Sequence, residues 1–268
     1  IFGDLFAVSY APSARALSLS YHRRQDYEAP IPRLLTVGNP LPLPDGVRQL
    51  PYARLEAEEI AQRFGQEAHL VCAEAAAHAA IVAAMPGRTH LHFACHGQFD
   101  PEKPLESGLL LGGDILTLRQ ILDDLTLRGV RMVVLSACQT AINDYKELPD
   151  EVIGLPAAFL QSGAAGVFGS LWPVNDLSTM LLMDRFYHLH LDEGVEAAIA
   201  LQSAQRWLRE VTAGELAERF GEERIMLKSS RLMLAEASEY WRRFATLEPG
   251  ERPFAHPYYW AAFTFTGA

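Results

Sequence analysis

The sequence predicts an α/β fold: a three-layer sandwich in which a mostly parallel six-stranded sheet carries helices on both faces. Three observations predict it. Short β-rich runs alternate with amphipathic stretches, which is the order of β-α-β units. Met132, Val133, Val134 and Leu135 form a continuous apolar run, as in a strand covered on both faces of a parallel sheet. Hydrophobic residues make up 49% of the 268 positions, enough for a real core.

In order along the chain, residues 5–9 read as a short strand. Pro12 and Ser13 open a helix with Ala14, Leu17 and Tyr21 on one face. A proline-bearing linker leads to a strand at 34–37, which ends at Gly38, Asn39 and Pro40. Residues 54–64 form a helix, with Ala57, Ile60, Ala61 and Phe64 facing inward and Gly65 as its stop. A strand at 69–72, a helix at 76–85 halted by Pro86 and Gly87, and a strand at 90–96 complete β-α-β-α-β with right-handed crossovers.

Residues 109–116 read as a hairpin turning on Gly112 and Gly113. Neither Gly-x-Gly-x-x-Gly nor a Lys-Ser/Thr tail is present, which argues against a phosphate loop and a Rossmann-type nucleotide site. Thr117 and Gln120 make a capping box for the next helix. After the strand at 131–137 come a helix preceded by Asp150 and Glu151 and a strand at 166–171. A helix capped by Ser178 and another at 195–211 follow. Residues 212–250 read as a charged helical insertion. The last strand is expected at 260–266, with Trp172 and Trp260 as structural aromatics.

The net charge of −10 argues against nucleic acid or an anionic membrane as partner. Cys72, Cys95 and Cys138 are too few and odd in number for a disulfide framework, so a cytoplasmic setting is expected. No apolar run reaches the roughly 20 residues of a membrane span. The chain begins at Ile1 in mid-pattern, as a piece of a longer protein would.

Cys138 stands where one central strand ends, and His96-Gly97 where another does. If those strands are neighbours, a thiol and an imidazole face each other at the carboxyl edge of the sheet, the arrangement of a nucleophile and its base. The bland alternative for Cys138 is a buried core thiol. The amides of Gly97 and Cys138 are candidate oxyanion donors, since Gly97 lets a carbonyl approach closely. Cys95 alternates to the opposite face. His90, His92 and His96 share an alternation but span about 13 Å, too far for one metal ion without other ligands. No metal or other cofactor is expected. His256 reads as a hydrogen-bonded structural residue. Asp176 follows the next strand on the same rim. It reads either as a partner for a basic substrate side chain or as a helix cap.

The runs His92-Phe93-Ala94-Cys95-His96-Gly97, Leu135-Ser136-Ala137-Cys138, Gly169-Ser170-Leu171-Trp172-Pro173-Val174-Asn175-Asp176 and His256-Pro257-Tyr258-Tyr259-Trp260 resemble those of CHAT domains, in the same order. CHAT domains are a branch of the caspase and separase superfamily of cysteine peptidases. The resemblance implies one CHAT domain over 1–268, a caspase-like sandwich and a catalytic dyad of Cys138 and His96. It also implies that Asp176 stands where separases carry the acid that recognises arginine. Cleavage of protein substrates after Arg or Lys is expected, in regulated bacterial cell death or phage defence, under an attached helical-repeat domain or a partner protein. The alternative is a silent interaction module that keeps the fold.

Overall fold

The computed structural model describes residues 2–25, 31–73, 76–100, 102–137, 154–226, 238–239 and 241–268. Ten strands lie among them. They are β1 (Ser9–Tyr10), β2 (Leu34–Pro40), β3 (Ala68–Ala73), β4 (His90–Ala94) and β5 (Gly97–Gln98), then β6 (Gly108–Leu111), β7 (Asp114–Thr117), β8 (Met132–Ser136), β9 (Gly166–Ser170) and β10 (Phe263–Gly267). The main sheet runs β1-β10-β9-β8-β4-β2-β3, and β5-β6-β7 form a second, antiparallel sheet. From β3 to β9 all pairings in the main sheet are parallel. β10 then pairs antiparallel to β9, and β1 parallel to β10.

The main sheet therefore has seven strands where six were expected. β1 is the addition. It pairs over two residues, both exposed, so no burial period marks it. Residues 5–9 are not the strand: Phe2–Leu5 form the short helix α1, and β1 starts only at Ser9.

The larger helices are α2 (Ala14–Gln25), α3 (Pro51–Phe64), α4 (His78–Ala84), α5 (Leu118–Asp124), α6 (Leu155–Gln161), α7 (Asp176–Tyr187), α8 (Ala197–Glu210) and α9 (Ala213–Met226). Alternation along the strands sorts them into layers. Leu34, Met132, Val134 and Phe168 face one core with Ile60 and Phe64 of α3, Leu181 and Phe186 of α7, and Leu201 and Leu208 of α8. Leu35, Val37, Leu91, Phe93, Val133 and Leu135 face the other, with Ile81 of α4, Ile121 of α5 and Phe159 of α6. The right-handed crossover rule places α3 and α4 on opposite faces, because the chain steps outward from β2 to β3 and then back to β4.

Residues 212–250 are less separate than an insertion suggests: Leu216, Phe220 and Phe244 belong to the first core, and the rings of Phe220 and Phe244 stack 5.8 Å apart. The last strand starts at Phe263 rather than 260. Trp260 ends a short helix α10 (Pro257–Trp260), whose N-cap His256 accepts from the Tyr258 amide at 3.2 Å. The capping box at Thr117 and Gln120 is present at α5.

Candidate active site

Because β2, β4, β8 and β9 run parallel, their carboxyl ends share one edge, and the chain leaves β2 and β4 in opposite directions along the sheet. Open α/β sheets bind ligands in that kind of crevice. β4 and β8 are neighbours, with Ala94 opposite Ser136. His96 follows Ala94 by two residues. Ala137, after Ser136, is buried, and its carbonyl accepts from the Ser170 hydroxyl of β9. Cys138 lies outside the described residues, as do Asp144, Asp150 and Glu151.

His96 is half-buried, and its Nε2 lies 2.7 Å from the carbonyl oxygen of Arg48. A carbonyl can only accept, so Nε2 carries the ring proton and Nδ1 keeps the lone pair of a base. The orienting group is thus a backbone carbonyl in the β2–α3 connection. No side-chain signal at Arg48 could have revealed it.

β4 was expected to run to His96 and Gly97 to end it. The main-sheet strand stops at Ala94 instead, and Gly97 opens β5 opposite Leu109, while the His96 carbonyl accepts from the Leu110 amide at 2.9 Å. The second sheet thus holds the backbone at the His96 carbonyl and at Gly97.

Asp176 is the first residue of α7, but it does not cap that helix. Asn175 does, accepting from the Ser178 amide at 3.1 Å. Ser178, expected as the cap, is the donor. The Asp176 carboxylate turns to α3 and accepts from the Tyr52 amide through Oδ2 at 3.2 Å. α3 lacks a capping side chain of its own at Leu50, so Asp176 supplies an acceptor at the positive end of another helix.

Glu56, one turn further along α3, is buried beside it. Burial, together with the Glu56 charge, pushes the Asp176 pKa up to about 7, against the opposing pull of the Tyr52 N–H. Glu56 Oε1 lies 2.9 Å from His92 Nε2, an approach off the hydrogen-bond axis. His92 Nδ1 is 3.2 Å from the Tyr187 hydroxyl, whose pKa is raised first by burial and then by Glu56. This buried Glu56–His92–Tyr187 group went unnoticed in the sequence. A His alternating with His96 was its one visible sign.

The other candidates resolve as structure. Cys95 is buried in the second core. Cys72 is partly exposed, and burial with the Glu58 charge pushes its thiol up to about 11. His90 and His92 do share a face, with His90 beside Thr89 at 2.8 Å. Among the described residues no group of three His, Cys, Asp or Glu side chains could hold a metal ion. No described helix is long and apolar enough to cross a membrane.

Comparison with known proteins places this architecture. The chain is 37% identical over 103 residues to human tetratricopeptide repeat protein 28, and 33% identical over 103 residues to the mouse protein. Each match covers 38% of this chain and 4% of the relative's length. Among solved structures, one described as a protease superimposes with a TM-score of 0.58 at 14% identity, covering 96% of this chain and 53% of that one. A chain of the Saccharomyces cerevisiae separase–securin complex superimposes at 0.51 with 13% identity, covering 98% of this chain and 14% of that one. These likenesses are of fold. The family description "CHAT domain" matches residues 3–268, and the chain belongs to that family.

Proposed function

We propose that the chain is a cysteine endopeptidase that cleaves protein substrates after a basic residue, Arg in preference to Lys. The observation that carries the reading is the register of β4 and β8. With Ala94 opposite Ser136, His96 and Cys138 each follow a paired residue by two positions. The Cys138 thiol would give its proton to His96 Nδ1 as sulfur adds to the scissile carbonyl. The amides of Gly97 and Cys138 would hold the oxyanion. The imidazolium would then protonate the leaving amine, and water would hydrolyse the thioester with His96 as base.

Asp176 supports the specificity. Among the described residues its Oδ1 is uncommitted, on the same edge as His96, with Glu56 adding negative charge behind it. A substrate guanidinium can meet a carboxylate in two parallel hydrogen bonds, which an ammonium cannot. Control by a helical-repeat segment or a partner protein belongs to the same proposal. It is supported by the names of a relative, a tetratricopeptide repeat protein, and of a structure of similar fold, from a separase–securin complex. A cytoplasmic role in bacterial cell death or phage defence comes from the family resemblance alone.

The test is cleavage of a peptide library scanned at the residue before the scissile bond, run at pH 8. Wild type should cut after Arg. Cys138→Ala should cut nothing while melting close to wild type. Asp176→Asn keeps an acceptor for Tyr52 but loses the charge, and should lower the specificity constant for Arg about a hundredfold. An active Cys138→Ala protein overturns the peptidase reading. A fully active Asp176→Asn protein moves the basic pocket to Asp144, Asp150 or Glu151.

A further inference from the structure

We propose that Asn39 is a positioning residue for the dyad, acting through the segment Arg48 to Tyr52; the proposal rests on His96 being the proton shuttle. Asn39 is the last residue but one of β2, at the same carboxyl edge. Its backbone has φ +46, one of two positive values among the described non-glycine residues, and the β2–β3 register shifts around it.

The cause of the turn is visible one residue earlier. A Cβ at Gly38 would stand 2.6 Å from the Ala57 Cβ and 2.9 Å from the Ala53 carbonyl, so the end of β2 is pressed against α3 and the chain must turn at once. Glycine would make that turn with least strain, whereas most side chains are strained in the left-handed region. Asn39 nevertheless bears one, it is 8% exposed, and its Oδ1 accepts from the Leu50 amide at 3.1 Å.

Leu50 lies midway along a short strap. Two residues before it, the Arg48 carbonyl receives His96 Nε2 at 2.7 Å. Two residues after it, the Tyr52 amide donates to Asp176 at 3.2 Å. The strap therefore meets the imidazole, Asn39 and the acid of the basic pocket at successive alternate residues. Asn39 is the contact that comes from the sheet rather than from a site residue, so it fixes where the Arg48 carbonyl sits. That carbonyl in turn selects the Nε2–H tautomer and leaves Nδ1 free as base. Loss of the Asn39 acceptor should let the strap shift and the imidazole sample the other tautomer.

Asn39→Gly tests this cleanly, because glycine accepts the same backbone while removing only the side-chain acceptor. Asn39→Asp keeps an oxygen and tolerates the same turn. The readouts are the ¹⁵N chemical shifts of His96, which report its tautomer whether or not any peptide is cleaved, and kcat and KM for an Arg peptide. Asn39→Gly should melt near wild type, move His96 from one tautomer to a mixture, and lower kcat about tenfold with KM little changed, the size expected for one lost hydrogen bond. Asn39→Asp should restore the single tautomer and most of kcat. A wild-type His96 spectrum in Asn39→Gly overturns the proposal, as does an equal loss in both variants. If wild type itself cleaves no peptide, the peptidase reading fails, and the tautomer comparison alone still decides the role of Asn39.

Discussion

At Asp176, burial and the neighbouring Glu56 carboxylate both act against ionisation, and the pKa is pushed up to about 7. The carboxyl is neutral below that value and charged above it, so affinity for an arginine side chain should rise with pH through about 7. In Asp176→Asn that rise should vanish; a specificity constant whose pH profile is the same in both proteins would contradict this. The stability effect has the opposite sign. A carboxyl with a raised folded pKa binds its proton more tightly when folded, so its contribution is full below about pH 4 and falls as pH rises toward 7. Between pH 5 and 7 the loss should be about 2 kcal/mol, and Asp176→Asn should flatten it in denaturant melts. The thiols make a second contrast. Cys95 is buried and the Cys72 thiol is pushed up to about 11, so both should be slow toward an alkylating probe at neutral pH.

Among the elements, α3 ties the site together. Its leading strap meets His96 and Asp176, its first turns press on Gly38, and its buried Glu56 faces His92. The helix itself was legible, because Ala57, Ile60, Ala61 and Phe64 recur with helical spacing and Gly65 stops it. Its role in the site was not, since it acts through the Arg48 carbonyl and the Tyr52 amide, and backbone groups carry no residue identity. Gly97 was misread as a stop because a two-residue strand is too short to show alternation. Trp260 falls outside the last strand because His256 and Pro257 just before it form a helix start. The structure also softens what the tryptophans should do. Trp172 and Trp260 are half-buried, their indoles donating to the carbonyls of Tyr258 at 3.0 Å and Ala255 at 3.1 Å. Trp172→Ala should therefore cost about 1.5–3 kcal/mol, below the full price of a core aromatic, and leave the chain folded. Unfolding at room temperature would show that Trp172 carries more of the core than its exposure suggests.

For the molecule as a whole, the layered architecture was legible because β8, at the middle of the sheet, is apolar on both faces and the flanking helices are one-sided. The outer edge was not, since β1 buries neither of its residues and β10 reverses direction without a sequence signal. The interior also sets an acid limit. Burial, then the nearby His190 and Arg131, lowers the His90 pKa to about 3, and burial also lowers that of His190. Imidazoles with depressed folded pKa values contribute fully above about pH 6.5 and lose that contribution as pH falls toward 3, so the protein should weaken in acid over that window. His90→Phe should reduce the slope; an unchanged slope would place the acid sensitivity elsewhere. The central claim is that His96 activates Cys138 across the β4–β8 edge. Its most direct measurement is the rate at which a small alkylating probe labels each cysteine, followed by mass spectrometry across pH in wild type and His96→Ala. Cys138 should label fastest, with a rate that His96→Ala lowers about tenfold or more near neutral pH while the other two cysteines are unaffected. Equal labelling of Cys138 in the two proteins would contradict the account.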